Sequence, residues 1–183
     1  CRATPVADYH EEAAMAFAQI GQKSPLKRLW SREDDIRGGF YRPMAVHKAR
    51  IGLDREGNVL AWDHRTASKS IIIGTPFEEA MVHNGIDHTS VEGVADTLYP
   101  VPNMALGVAN FESPITVLWW RSVGHTHTAF AMESLLDMVA HAAGKDPIEM
   151  RLAMLDQTDA KQRRLAGVIE AARDLAKWQP GQK

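Results

Sequence analysis

The sequence predicts an α+β fold, in which a mixed β-sheet is covered by an N-terminal helix and a C-terminal group of about three helices. Three observations lead to it: apolar residues at helical spacing over 8–20, two extended runs around a turn at 54–58, and apolar helical stripes between 127 and 177. The length of 183 residues suits one domain with one core. We therefore expect residues 1–183 to form a single domain.

The N-terminal elements follow from spacing and end signals. Over 8–20 the helix has Asp8 as a candidate N-cap and Gly21 as its end. Residues 26–30 alternate apolar and cationic side chains, which predicts a half-buried strand. Residues 31–36 resemble a short capped helix.

The clearest β signal is a hairpin over 44–68, in which Gly57 and Asn58 can adopt the positive φ of a tight turn. Residues 70–99 lack a sustained period and predict an irregular connection with at most a short helix at 76–82. Such long connections are usually functional or packed by partners.

The C-terminal half predicts two strands and then helices. Residues 103–112 and 115–122 read as strands, the second nearly all apolar and therefore expected to be buried on both faces. The predicted sheet thus comes from 25–30, 44–68 and 103–122. Apolar stripes and cap residues, including an N-cap Asp146 before Pro147, predict helices over 127–143, 147–155 and 160–177.

Composition excludes several classes of function. A formal charge of −2 offers no cationic face for nucleic acid. The longest apolar runs, 71–73 and 115–120, fall far short of the roughly 20 residues that span a bilayer, so no membrane span is predicted. The single cysteine, Cys1, allows no intrachain disulfide and no thiolate metal site.

No self-contained catalytic motif is present: the sequence has no nucleophile elbow, dinucleotide loop, P-loop or zinc-protease helix. Acidic clusters at 11–12, 33–35 and 78–79 sit at expected helix starts, where carboxylates favour the helix dipole. His125 and His127 would point the same way on a strand and could chelate a metal. Without acidic or cysteine partners nearby in sequence, we expect no metal site there.

The tract at 119–122 holds an arginine where a predicted buried strand gives way to a helix. Arg121 could grip a phosphate in bidentate fashion while free N–H groups of residues 122–126 hold oxo groups. An ion pair between Arg121 and a distant acid explains the position equally well. The neighbouring residues alone do not distinguish a phosphate-binding Arg121 from an ion-paired one.

At this tract a family resemblance becomes visible. Trp-Arg-Ser-Val-Gly-His at 120–125, leading through Ala-Phe-Ala-Met-Glu-Ser at 129–134 to Ala-Gly-Lys-Asp-Pro at 143–147, resembles the molybdopterin-binding large subunit of the xanthine dehydrogenase and aldehyde oxidase superfamily. The better-known members read Ala-Phe-Arg-Gly-Phe-Gly here. The form found here looks more like the bacterial branch of isoquinoline 1-oxidoreductase beta subunits and related aldehyde dehydrogenases.

Three further stretches agree with that branch and come in the family's order. They are Ala-Thr-Pro-Val-Ala-Asp at 3–8 with the helix after it, Leu-Trp-Ser-Arg-Glu-Asp-Asp at 29–35 with Tyr-Arg-Pro at 41–43, and Val-Glu-Gly-Val-Ala-Asp at 91–96, which is similar to a segment lining the approach to the active site. The resemblance therefore covers essentially the whole chain.

The resemblance implies a molybdenum centre held by a pterin dithiolene, a glutamate base, and transfer of oxygen from water to an aldehyde or an N-heteroaromatic carbon. Electrons would leave through iron–sulfur clusters on a partner subunit. It assigns cofactor contact to Trp120, Arg121 and Ser122. Relatives occur in the bacterial cytoplasm and in the periplasm, so the compartment stays open.

The resemblance assigns substrate contact to Val123 and Ser90, and to Glu92 as part of the 91–96 segment that lines the approach to the active site. From the local sequence alone, surface placement is the better explanation of Glu92. Val123 replaces an aromatic residue that stacks on substrate, and Ser90 falls near an arginine of the purine-oxidising members. A purine is therefore not the expected substrate.

The family's glycine loop would precede Cys1 and its base glutamate would follow Lys183. We therefore expect the chain to be a fragment that lacks a catalytic residue and is inactive without the remainder of its large subunit. The alternative functions are a non-catalytic binding or assembly module that kept the fold, and a metal-binding protein that uses His125 and His127.

Overall fold

The computed structural model describes residues 7–181, which contain six α-helices and five β-strands. In chain order these are α1 (Asp8–Gln19), α2 (Arg32–Arg37), β1 (Ala45–Leu53), β2 (Val59–Ser68), α3 (Glu78–Met81), β3 (Val82–His83), β4 (Ile86–Asp87), β5 (Asn103–Asn110), α4 (His125–Ala142), α5 (Pro147–Met154) and α6 (Ala160–Ala176). A 3₁₀ turn, His88–Val91, follows β4. The predicted fold class is confirmed. Cys1 and most of the 3–8 tract lie outside the described residues.

The main sheet has the order β1-β2-β5, with β1 antiparallel and β5 parallel to β2, so it is mixed as predicted. The hairpin turn is held by Asp54, whose carboxylate accepts the N–H groups of Glu56 and Asn58 at 3.0 and 2.7 Å. Gly57 has a φ of 76°. Asn58 does not share the positive φ, which corrects that part of the prediction. It directly precedes β2, whose extended backbone begins at Val59.

The strand predicted at 26–30 is wrong. Arg28 pairs with Glu12 of α1, and the Trp30 indole N–H donates to the same carboxylate at 3.1 Å. Arg28 and Trp30 are therefore tied to α1 by their side chains, whereas Leu29 is 83% exposed. No β-ladder forms there.

The strand predicted at 115–122 is also wrong. Among residues 7–181 its only strand pairing is a bridge between Val117 and Tyr41. Its residues are not buried on both faces: Leu118 is 2% exposed, but Trp120 is 55% exposed. Lys69 Nζ binds the carbonyl of Ile115 at 2.8 Å. That carbonyl is therefore satisfied by a side chain instead of a strand ladder.

The core lies between the sheet and α4, where Trp62, Val94 and Leu136 are almost fully buried. Helix α4 begins two residues before its predicted start. The predicted cap of α5 is confirmed, since the carboxylate of Asp146 accepts the N–H groups of Ile148 and Glu149 at 2.9 and 3.0 Å. No helix among residues 7–181 is long and apolar enough to cross a membrane.

Candidate functional site

The turn that precedes α4 has an unusual backbone. Ser122 and Val123 have φ values of 74° and 42°, and the Val123 N–H donates to the Trp120 carbonyl at 2.8 Å. Positive φ is uncommon outside glycine and costs about 1–3 kcal/mol, most of all at a β-branched residue. The turn therefore depends on the contacts around it.

One of those contacts is Arg42, which the sequence analysis included only as part of a matching tract. Its Nη1 donates to the Arg121 carbonyl at 3.1 Å and to the hydroxyl of Thr126. Its guanidinium also lies 5.9 Å from the centre of the Trp120 ring, and the Trp120 indole N–H donates to the Phe40 carbonyl at 3.2 Å. Arg42 thus ties the turn to the first turn of α4.

The other side of the turn is fixed by the 3₁₀ segment. Glu92 Oε2 accepts the Gly124 N–H at 3.1 Å, and the Glu92 carbonyl accepts from the hydroxyl of Thr128. A β-carbon at position 124 would overlap the carbonyl oxygen of Thr89. Only glycine allows this close approach, which sets the start of α4 directly against the 3₁₀ turn.

A cleft with about 450 Å³ of free space, part of it open to solvent, lies where these segments meet. It brings together three of the six predicted site residues: Ser90, Trp120 and Val123. Arg42, Lys69, Thr126 and His127 also line it. Arg121, Ser122 and Glu92 lie beside the cleft without lining it.

The predicted donors around Arg121 are only partly free. Val123, Gly124 and Thr126 use their N–H groups within the fold, which corrects the expectation that all of 122–126 are available. The N–H groups of Ser122 and His125 have no partner in the described chain. Arg121 forms no ion pair with any carboxylate of residues 7–181, so a structural ion pair does not explain it there.

Three histidines that are distant in sequence meet beside the cleft. His47 Nδ1 lies 2.9 Å from His64 Nε2, and His47 Nε2 lies 3.0 Å from His127 Nδ1. The Trp62 indole N–H donates to His64 Nδ1 at 3.2 Å. We call these four side chains, the three histidines together with Trp62, the imidazole series.

The imidazole series is uncharged at neutral pH. Burial, reinforced by the neighbouring His47, lowers the pKa of His64 and of His127 to about 4. Burial also lowers the pKa of His47. Within residues 7–181 no group of three or more histidine, cysteine or acidic side chains is arranged to hold a metal ion.

His47, His64 and Trp62 are not among the site residues predicted from the sequence. The sequence signal that could have found them is the alternation of uncharged and charged side chains over 62–66. On a strand this alternation places Trp62, His64 and Thr66 on one face, which in β2 is the buried one. His127 was considered as a metal partner of His125 on a strand. Because both lie in the first turn of α4, His127 instead joins His47 of β1.

The chain is similar to proteins of a known family. The sequence profile of the molybdopterin cofactor-binding domain family matches residues 6–155. The chain is 31% identical over 158 residues to a membrane-bound aldehyde dehydrogenase (pyrroloquinoline-quinone) of Gluconacetobacter polyoxogenes. The matched stretch covers 81% of this chain and 20% of that protein.

Two further relatives are similar to a comparable extent. The beta subunit of isoquinoline 1-oxidoreductase of Brevundimonas diminuta is 27% identical, over 91% of this chain and 21% of its own. The molybdenum-binding subunit PaoC of an aldehyde oxidoreductase of Escherichia coli strain K12 is 28% identical, over 79% of this chain and 18% of its own. The chain thus spans about a fifth of the length of these relatives.

Proposed function

The chain belongs to the molybdopterin cofactor-binding domain family, and we propose that it forms one wall of the cofactor and substrate site of a molybdenum-dependent oxidoreductase. The proposed substrate is an aldehyde or an N-heteroaromatic compound, with water as the source of oxygen. The observation that carries this proposal is the strained turn at 120–124, which lies beside the cleft and holds an arginine without an acidic partner among residues 7–181.

The donors at this turn fit a cofactor that bears phosphate and oxo groups. Arg121 is exposed and charged, and the N–H groups of Ser122 and His125 have no partner in the described chain. We propose that Trp120, Arg121 and Ser122 contact the cofactor. When bound, it would supply the two-electron redox chemistry and the oxygen transfer that no side chain can provide.

The remaining predicted residues border the proposed substrate. Val123 and Ser90 line the cleft, and neither can stack on a ring or pair with an anionic group. This supports a small aldehyde or heterocycle over a purine. Glu92 enters the proposal through its bond to Gly124, which keeps the turn in place. Direct contact between Glu92 and substrate stays a prediction.

We further propose that residues 1–183 form a single-domain piece of a longer subunit and are inactive alone. The chain spans about a fifth of its relatives, and large apolar side chains are exposed: Leu175 by 88%, Leu29 by 83% and Phe130 by 76%. We propose that the remainder of the subunit covers part of this apolar surface. The proposed partners are the remainder of the subunit, with its base glutamate, and an iron–sulfur subunit.

The proposed reaction consumes one water and releases two electrons and two protons, as a C–H bond becomes a C–OH bond. The test is oxidation of isoquinoline by the full-length subunit with its electron-transfer partner in ¹⁸O-labelled water. We expect the label in the hydroxylated product. Label derived only from ¹⁸O₂, or no oxidation of either isoquinoline or benzaldehyde, would contradict the proposal, the latter outcome favouring a non-catalytic assembly module.

A further inference from the structure

The imidazole series runs from the core to the cleft. Trp62 and His64 are 1% and 0% exposed, whereas His127 lines the cleft. The series therefore connects a buried indole with a side chain that can reach a bound molecule.

The series can hold its protons in only one order. An indole nitrogen is a donor only, so His64 Nδ1 accepts and a neutral His64 carries its proton on Nε2. That proton must be donated to His47 Nδ1, which leaves the His47 proton on Nε2. By the same step His127 Nδ1 accepts and His127 Nε2 is protonated.

We propose that Trp62 is a positioning residue that fixes His127 as a hydrogen-bond donor to an acceptor atom of the molecule in the cleft. The acceptor could be the carbonyl oxygen or ring nitrogen of a substrate, or an anionic oxygen of a cofactor. The inference rests on the proposed function only for the identity of that molecule. The direction of the series stands on geometry alone.

The surroundings of His127 favour this role. Its Nε2 has no partner in the described chain, because the only hydrogen bond of the ring is made by Nδ1. Arg42 and Lys69 line the same cleft. Both bind backbone carbonyls, Arg42 that of Arg121 and Lys69 those of Ser113 and Ile115. A cleft with these cations and a fixed N–H favours an acceptor-rich ligand.

The first test reads the tautomers directly. In the 183-residue chain labelled with ¹⁵N-histidine at pH 7, we expect His64, His47 and His127 each to show a protonated Nε2. Trp62→Phe keeps an aromatic ring but removes the donor, so His127 should show a mixture of tautomers. His141→Gln, an exposed position on α4, is the matched control and should change nothing. A protonated Nδ1 on His127 in the unaltered chain would overturn the proposal, whether or not the variant folds.

The second test asks whether the donor binds a ligand. Isoquinoline, 2-methylisoquinolinium, whose nitrogen cannot accept, and inorganic phosphate are titrated separately while the His127 Nε2–H signal is followed. A shift with isoquinoline but not with 2-methylisoquinolinium identifies a substrate acceptor, and a shift with phosphate identifies an anionic oxygen. Affinity should fall about fivefold in Trp62→Phe. If no probe moves the signal, the donor role is contradicted, whatever metal analysis shows.

Discussion

Trp62 Nε1 and His64 Nδ1 lie 3.2 Å apart, and both side chains are almost fully buried in the core. A proton added to His64 would place an N–H on both ring nitrogens, so that the indole donor would face another donor. The same proton would also be a buried charge. The bond therefore links the stability of the fold to the protonation of one histidine.

We predict that the free energy of unfolding decreases as pH falls from about 6.5 towards 4. Burial lowers the pKa of His64 and His127 to about 4 in the folded chain, against about 6.5 when unfolded. In that window the unfolded chain binds protons that the folded chain does not. The free energy of unfolding should therefore fall by up to about 1.4 kcal/mol per pH unit for each such histidine.

Urea unfolding at pH 6.5, 5.5 and 4.5 measures this slope. His64→Gln should flatten it, because one of the histidines with a lowered pKa is removed. His141→Gln, which removes an exposed imidazole from α4, is the matched control. Equal slopes in the unaltered chain and His64→Gln would show that His64 does not govern the acid response.

We predict that Gly124→Ala destabilises the chain by about 3 kcal/mol or more, since its methyl group would overlap the Thr89 carbonyl. Gly167→Ala is the matched control. It lies within α6 with open space around it, so it should stabilise the chain by about 0.5–1 kcal/mol. Urea unfolding of both variants checks this, and a neutral Gly124→Ala would refute the close packing of α4 on the 3₁₀ turn.

Glu92→Ala should destabilise the chain by about 1–2 kcal/mol, because the Gly124 N–H loses a charged acceptor at the start of α4. Glu92→Gln keeps an acceptor oxygen and should recover about half of the loss. Glu112→Ala, an exposed acidic position, serves as the control. Thermal unfolding gives the values, and identical melting of all three variants would exclude an anchoring role.

Arg121→Ala should reduce molybdenum retention by the full-length subunit about tenfold while leaving its stability unchanged. The side chain forms no ion pair within residues 7–181, so the fold loses no such contact. Arg121→Lys should recover only part of the retention, since an ammonium cannot bind in bidentate fashion. Arg55→Ala, in the hairpin turn, controls for loss of charge. Metal content per subunit is the readout, and full retention in Arg121→Ala would remove Arg121 from the cofactor site.

Much of the fold could be predicted because its signals are local. The cap at Asp146 and the hairpin turn at 54–58 depend on neighbours within four residues, and both form where predicted, although only Gly57 has the positive φ expected of Gly57 and Asn58. The strand predicted at 115–122 is wrong because apolar content alone fixes neither strand pairing nor burial: Ile115 and Trp120 are both 55% exposed. Its carbonyl at Ile115 is bound by Lys69, which is 46 residues away.

The site was predictable only in part for the same reason. The tract at 120–123 is contiguous and could be recognised, whereas His47, His64 and His127 are brought together by strand register and a helix start. The positive φ of Ser122 and Val123 has no signature in those residue types. Such contacts emerge only when the sheet and α4 are assembled.

The central claim is that this chain helps to hold a molybdenum cofactor, and metal analysis of the full-length subunit tests it most directly. The subunit should be purified from a host that makes the cofactor and analysed for molybdenum, pterin and pyrroloquinoline quinone, the last because one relative carries that name. We predict stoichiometric molybdenum and pterin. A subunit with neither, or with the quinone in their place, would contradict the account.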